Sequence, residues 1–129
     1  MPIAKAITIK LAALIFLFSA SLFAGCARKP ERQLETPLPQ YAERTLEYIE
    51  RTGNPPQGYM GGSDFRNDGR GGGEVLPRID SSGRSITYRE WDVHPYTRGI
   101  NRGPERLVTG SDGSAYFTSD HYRTFSKVR

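Results

Sequence analysis

Residues 74–128 run EVLPRIDSSGRSITYREWDVHPYTRGINRGPERLVTGSDGSAYFTSDHYRTFSKV, and their rhythm decides the fold. Short segments rich in β-branched and aromatic residues ("EVLPRI", "SITYREWDV", "ERLVTG", "SAYFTS", "YRTFSKV") alternate with Gly, Pro, Asn and Asp. That alternation predicts an antiparallel sheet of about five strands. Just upstream, "PLPQYAERTLEYIERTG" has a different period. Ala42, Leu46 and Ile49 recur at i, i+4 and i+7, and Glu43, Arg44, Glu47 and Glu50 fall outside that stripe. Pro39 suits a first helical turn, and Gly53, before Asn54, Pro55 and Pro56, suits the stop. One helix followed by a run of strands predicts an α+β domain. The helix packs on one face of the sheet, and the opposite face is left for a site.

The first part of the chain reads as address rather than fold. Lys5 and Lys10 precede the apolar run "LAALIFLFSASLFAGC", the charged, apolar, then small order of an export signal. The run is shorter than the roughly 20 residues a membrane span needs. "LFAGC" resembles a bacterial lipoprotein cleavage box, with Phe23 where Leu is usual, so that Cys26 would become the lipidated first residue. Ordinary cleavage after Ala27 is the competing reading. The expected organisation is an export signal over 1–26, a polar Pro-containing tether over 27–37 and one folded domain over 38–129. The only cysteine is Cys26, so that domain has no disulfide to rely on.

From Arg51 onward Lys and Arg outnumber Asp and Glu by 12 to 9, and eleven of the 12 are Arg, whose planar fork suits phosphate. The excess is too small to establish a polyanionic partner by itself. Between helix and sheet, "QGYMGGSDFRNDGRGGGEVLP" is too Gly-rich for regular structure, and reads either as a linker or as backbone that approaches a ligand closely.

A set of polar residues sits where strands are expected. Glu90 lies inside "TYREWDV"; Arg102 and Arg106 are four apart across a Gly-Pro turn; His121 lies on the last expected strand. Singly, each has an ordinary reading: Glu90 paired with Arg89, the arginines as surface charge, the histidine as structure. Together they meet the needs of phosphodiester transfer in RNA. A carboxylate takes the proton of the 2′-OH, an imidazolium supplies one to the leaving 5′-oxygen, and arginines stabilise the charge gathered at phosphorus. That chemistry requires no metal and no cofactor. Asp92 shares the Glu90 face by alternation and reads as a structural ion pair with a buried Arg. His94 reads as a loop or surface residue, Trp91 and Phe125 as core.

"GGSDFRN", "LP", "SGRSITYREWDV" and "RGINRGPERLVTGSDGSAYFTSDHYRTFSKVR" together resemble the bacterial, barnase-like branch of the microbial guanyl-specific ribonucleases, over about Gly61–Arg129. The resemblance implies Glu90 as general base, His121 as general acid, Arg102 and Arg106 on the scissile phosphate, and Tyr122 at the substrate site. It also implies a base-reading loop of the form Phe-x-Asn-Arg-Glu before Leu-Pro. Here Phe65, Asn67 and Leu76-Pro77 match, with about four extra residues between them. Glu74 is then the expected base-reading carboxylate, Asp68 its rival and Arg70 the displaced Arg. No lysine stands between helix and loop to match a further active-site lysine of such enzymes. The implied activity is cleavage of single-stranded RNA after guanosine through a 2′,3′-cyclic phosphate by an exported monomer, with a barstar-like inhibitor protein as an expected partner. The alternatives are relaxed base choice, from the altered loop, and a non-catalytic polyanion-binding lipoprotein. A carboxylate in the site is of no use to the last.

Overall fold

The computed structural model describes residues 37–129; the export signal and all but the last residue of the tether lie outside the described residues. Helix α1 spans Gln40–Thr52, and five strands follow: β1 Tyr59–Phe65, β2 Tyr88–Pro95, β3 Arg106–Gly110, β4 Ala115–Thr118 and β5 Ser126–Lys127. They form one sheet in sequence order, every neighbouring pair antiparallel. Helix α1 starts at Pro39 and stops at Gly53, whose left-handed φ of 68° lets its N–H reach the Ile49 carbonyl at 2.7 Å.

Strand alternation sorts the side chains onto two faces. Trp91, Val93, Leu107 and Ala115 meet Ala42, Leu46 and Ile49 of the helix in the main core. Leu46 and Leu107 are fully buried there, each contributing about 1.5–3 kcal/mol relative to exposure. Trp91 is core, as expected, and its Nε1–H donates to Thr109 Oγ1 at 2.9 Å. The opposite face carries a second, smaller core of Leu76, Tyr88, Val108 and Tyr116, edged by Phe65, Ile86, Tyr122 and Phe125. Only the other end of that face, around Glu90, Asp92 and Arg106, is polar.

The strand membership differs from expectation at both ends of the sheet. "EVLPRI" is not a strand: only Ile79 bridges, to Ser85. Its backbone groups are spent elsewhere, because Leu76 is bonded through both its N–H and its carbonyl to the Asn67 side chain, and Pro77 has no N–H. The first strand instead runs through the stretch that looked too Gly-rich. Its register shifts on either side of Gly61, where the chain crosses the Trp91 ring; a Cβ on Gly61 would stand 2.8 Å from Trp91 Cε3. The glycines mark a bulge in a strand. The last strand keeps only Ser126–Lys127, since the preceding residues form the turn that carries His121.

Candidate active site

Glu90 projects from β2 on the face away from the helix, half-buried, with Val108 opposite it on β3. Both its oxygens are held. Ser63 Oγ, on β1 directly across, donates to Oε1 at 3.2 Å, and the Tyr122 hydroxyl donates to Oε2 at 2.5 Å. Burial first, and then the carboxylate it serves, push the Tyr122 hydroxyl far above the ordinary phenol range. It stays protonated, and a donor, well above neutral pH. Ser63 was invisible as a site residue in the sequence. Only the β1–β2 register, unforeseen because β1 was unforeseen, brings it to Glu90.

Two residues further along β2, Asp92 is buried and acts as the anchor for both arginines. Arg106 Nε lies 3.0 Å from Asp92 Oδ1, both side chains 5% exposed, and Arg106 Nη1 also donates to the carbonyls of Gly103 at 2.9 Å and Glu105 at 2.6 Å. Arg102 reaches the same carboxylate at 3.3 Å but is 43% exposed. Arg106 is therefore fixed in position while Arg102 keeps much of its guanidinium in solvent. One internal carboxylate against two guanidiniums leaves a local positive balance facing Glu90.

His121 is exposed and is not on a strand. It and Tyr122 take left-handed φ values of 60° and 68°, in the turn between β4 and β5. Asp120 builds that turn: its carboxylate accepts from Thr118 Oγ1, Thr124 Oγ1 and the N–H groups of Arg123 and Thr124, at 2.7–3.1 Å. The Thr124 bonds come first among the causes that hold the Asp120 carboxyl down at about 2. The Tyr122 N–H donates to Thr118 Oγ1 at 3.0 Å, and the His121 N–H to the Pro104 carbonyl at 3.1 Å. The turn is thus tied to the segment that carries the arginines, and the His121 ring lies 5.2 Å from that of Tyr122, whose hydroxyl sits on Glu90.

The loop after Phe65 closes differently from a simple ligand-facing loop. Asn67, buried at φ 50°, donates through Nδ2 to the Leu76 carbonyl at 2.9 Å and accepts the Leu76 N–H at 2.7 Å. Both ends of its amide help close the ten residues between Phe65 and Leu76, and the side chain is buried in protein. Asp68 pairs with Arg70, through the Arg70 N–H at 3.1 Å and the guanidinium at 2.9 Å. Glu74 instead turns toward the His121 turn: it accepts the Phe125 N–H at 2.8 Å, and its own N–H bonds the Arg123 carbonyl at 3.0 Å. A Cβ on Gly73 would collide with the Tyr122 carbonyl, so glycine is what lets the loop lie against this turn. Phe65 packs on Tyr122 at 5.1 Å and on Phe125 at 5.9 Å between ring centres.

His94 is more than a surface residue. Its Nε2 lies 2.6 Å from Glu105 Oε2, and Tyr41 of the helix donates to Glu105 Oε1 at 2.5 Å. Burial works against the Glu105 carboxylate, yet these two hydrogen bonds keep its carboxyl below the ordinary range. The bond to Glu105 pushes Tyr41 up to about 12. The cluster fixes the start of β3 next to Arg106, and no local motif announces it, because its members are 11 and 64 residues apart in sequence.

The structure therefore gathers Glu90, Tyr122, Asp92, Arg102 and Arg106 at one end of the open face. His121 lies at its rim, with Phe65 and Glu74 on the side of the neighbouring loop. The ribonuclease of Heyndrickxia coagulans is 44% identical over 71 residues, 54% of this chain and 55% of that protein. The ribonuclease of Bacillus intermedius is 44% identical over 71 residues, 37% of its length. The chain thus spans about half, or less, of the curated relatives it matches. The crystal structure of ribonuclease Sa2 with guanosine-2′-cyclophosphate aligns at 34% identity and a TM-score of 0.49, over 74% of this chain and 90% of that one. The family profile described as ribonuclease matches residues 25–129, which takes in all the described residues, and the chain belongs to that family.

Proposed function

We propose that this protein is an endoribonuclease that cleaves single-stranded RNA, preferentially after guanosine, in two proton-transfer steps that need no metal. The observation that carries the reading is the hold on Glu90. A carboxylate inside a strand, with a phenol and a serine hydroxyl donating to its two oxygens, lies next to two arginines that share one buried aspartate. Glu90 takes the proton from the 2′-OH as that oxygen attacks phosphorus. His121, as imidazolium, gives a proton to the 5′-oxygen as the P–O5′ bond breaks, leaving a 2′,3′-cyclic phosphate. In the second step water attacks phosphorus, His121 accepts its proton, and Glu90 returns one to O2′ as the P–O2′ bond opens to a 3′-phosphate. Arg106, immobile, and Arg102, partly free to move onto a ligand, stabilise the equatorial oxygens. Tyr122 orients the base and supplies the wall beneath the substrate.

Guanine would be read between Phe65 and the 66–77 loop. Glu74 is the carboxylate for the base edge: Arg70 engages both oxygens of Asp68, whereas Glu74 gives only Oε2 to the Phe125 N–H. Asn67 acts through the loop it closes. The chain is exported and monomeric in this reading, held at a bacterial membrane if Cys26 is lipidated, and a barstar-like inhibitor covers the same open face.

Cleavage of GpN, ApN, CpN and UpN dinucleotides in EDTA, beside Glu90→Ala, tests the proposal. Cyclic phosphate released from GpN first, and lost in the variant, is the expected result. Equal cleavage of all four retains the chemistry and removes Glu74 as the base reader. No cleavage by a folded protein leaves the polyanion-binding alternative.

A further inference from the structure

A cleft of about 500 Å³ lies away from Glu90 and His121, at the β1 edge of the sheet. Asp64, Phe65, Arg66 and Asn67 line one side, and Arg78 and Ser85–Arg89 the other. Arg89 follows Tyr88 and precedes Glu90 on β2, so it points to the opposite face of the sheet from the reaction site. Asp64 is its cross-strand neighbour. Arg66, Arg78 and Arg89 are all exposed, and among the described residues none forms an ion pair, whereas Arg70, Arg84, Arg102, Arg106 and Arg129 each have a carboxylate. Arg78 donates only to the Asn67 carbonyl, at 3.3 Å.

Three guanidiniums around one concavity, with a single acid among them, repel one another without return in the free protein. A polyanion relieves that repulsion. The wall formed by Phe65 to Asn67 is also the start of the loop that flanks the reaction site, so the cleft is the next concave surface a chain would meet on crossing the edge strand. We propose that this cleft is a second phosphate-binding site, which holds the RNA backbone beyond the cleaved nucleotide; the reading rests on RNA as the substrate of the open face. Its recognition is by charge alone, so it adds affinity for long RNA without adding base preference.

The test uses a fluorescent 2′-O-methyl dodecamer containing one guanosine, which binds but lacks the nucleophile and is not cut. The slope of log affinity against log salt is measured for the parent and for Arg89→Ala, the cleft arginine that lies outside the base-reading loop. A lost phosphate contact lowers the slope by ~0.7, and Arg89→Lys restores it. GpN is too short to reach the cleft, and its cleavage is expected to stay within about twofold in both variants, since k follows only contacts made by the reacting dinucleotide. An unchanged slope overturns the proposal. So does a lost slope that lysine does not restore, or one that falls together with GpN cleavage. Parent slope on the dodecamer with lost binding to phosphatidylglycerol vesicles assigns the cleft to a membrane and also overturns it. Failure of the parent to cut GpN sinks the proposed reaction, and the salt slope still judges the cleft.

Discussion

Asn67 offers the sharpest separation between holding a loop and touching a ligand. The family resemblance places it among the residues that meet the base, yet its amide is spent on Leu76 in two hydrogen bonds of 2.9 and 2.7 Å, at φ 50°. Asn67→Ala removes both bonds, about 1 kcal/mol each net, and puts a Cβ residue without a local hydrogen-bonding group in the left-handed region, for roughly 1 more. The expected loss is about 3 kcal/mol, or on the order of 12–20 °C in melting temperature for a domain of this size. Asn67→Gly removes the same bonds but tolerates the backbone, so it loses about 2 kcal/mol and melts above the alanine variant. Urea unfolding of the three proteins gives the order parent, glycine, alanine. The KM for GpN rises in both variants as the loop loosens, and it rises more in the less stable one. Parent-like stability in both, with guanine preference alone abolished, would show that the side chain meets the base directly and would refute the loop-holding account.

Asp92→Asn keeps the shape but leaves the buried Arg106 without its charge partner, so it loses about 3 kcal/mol in urea unfolding and lowers GpN turnover with it. Asp120→Asn removes a pH dependence. The folded-state carboxyl sits at about 2 against an ordinary 3.8, so its contribution to stability is complete above pH 4 and is lost as pH falls toward 2. The parent's melting temperature should therefore drop across that interval more than the variant's. Tyr122→Phe and Ser63→Ala each take one donor from Glu90: the half-buried phenol is worth about 2 kcal/mol and roughly 30-fold in kcat, the exposed serine about 0.5 kcal/mol and roughly twofold. Steady-state GpN cleavage at a single pH reads both, and a larger effect from Ser63 than from Tyr122 would reverse the assignment.

What the sequence disclosed of the fold follows from which forces are local. The helix was legible to its last residue because Ala42, Leu46, Ile49 and Gly53 encode both its buried stripe and its left-handed stop. Strands β2, β3 and β4 were legible because alternation and tight turns are short-range signals. Strand β1 was not, since Gly61 is selected by the approach of Trp91, a partner 30 residues away that no window over "YMGGSDF" contains. "EVLPRI" failed for the converse reason. Its composition favours a strand, but a side chain nine residues earlier captures the backbone groups that a ladder would need.

The polar residues of the open face could be named from sequence, and Asp92 with its buried arginine could be anticipated from alternation, but their state could not. Most telling is the His121 turn. Two successive residues with side chains at positive φ cost of order 1 kcal/mol or more each, and nothing in "SDHYRTF" discloses that they pay it. Four hydrogen bonds to Asp120 over-determine the turn from within, and the Pro104 carbonyl and the Glu90 carboxylate tie it from outside. A regular last strand would have alternated His121 and Tyr122 onto opposite faces. The left-handed pair instead keeps the two rings 5.2 Å apart, with the tyrosine on the carboxylate and the imidazole beside it at the rim. The strain thus has a physical return: it is the local distortion that sets a phenol on the carboxylate and an imidazole beside that phenol in a single turn.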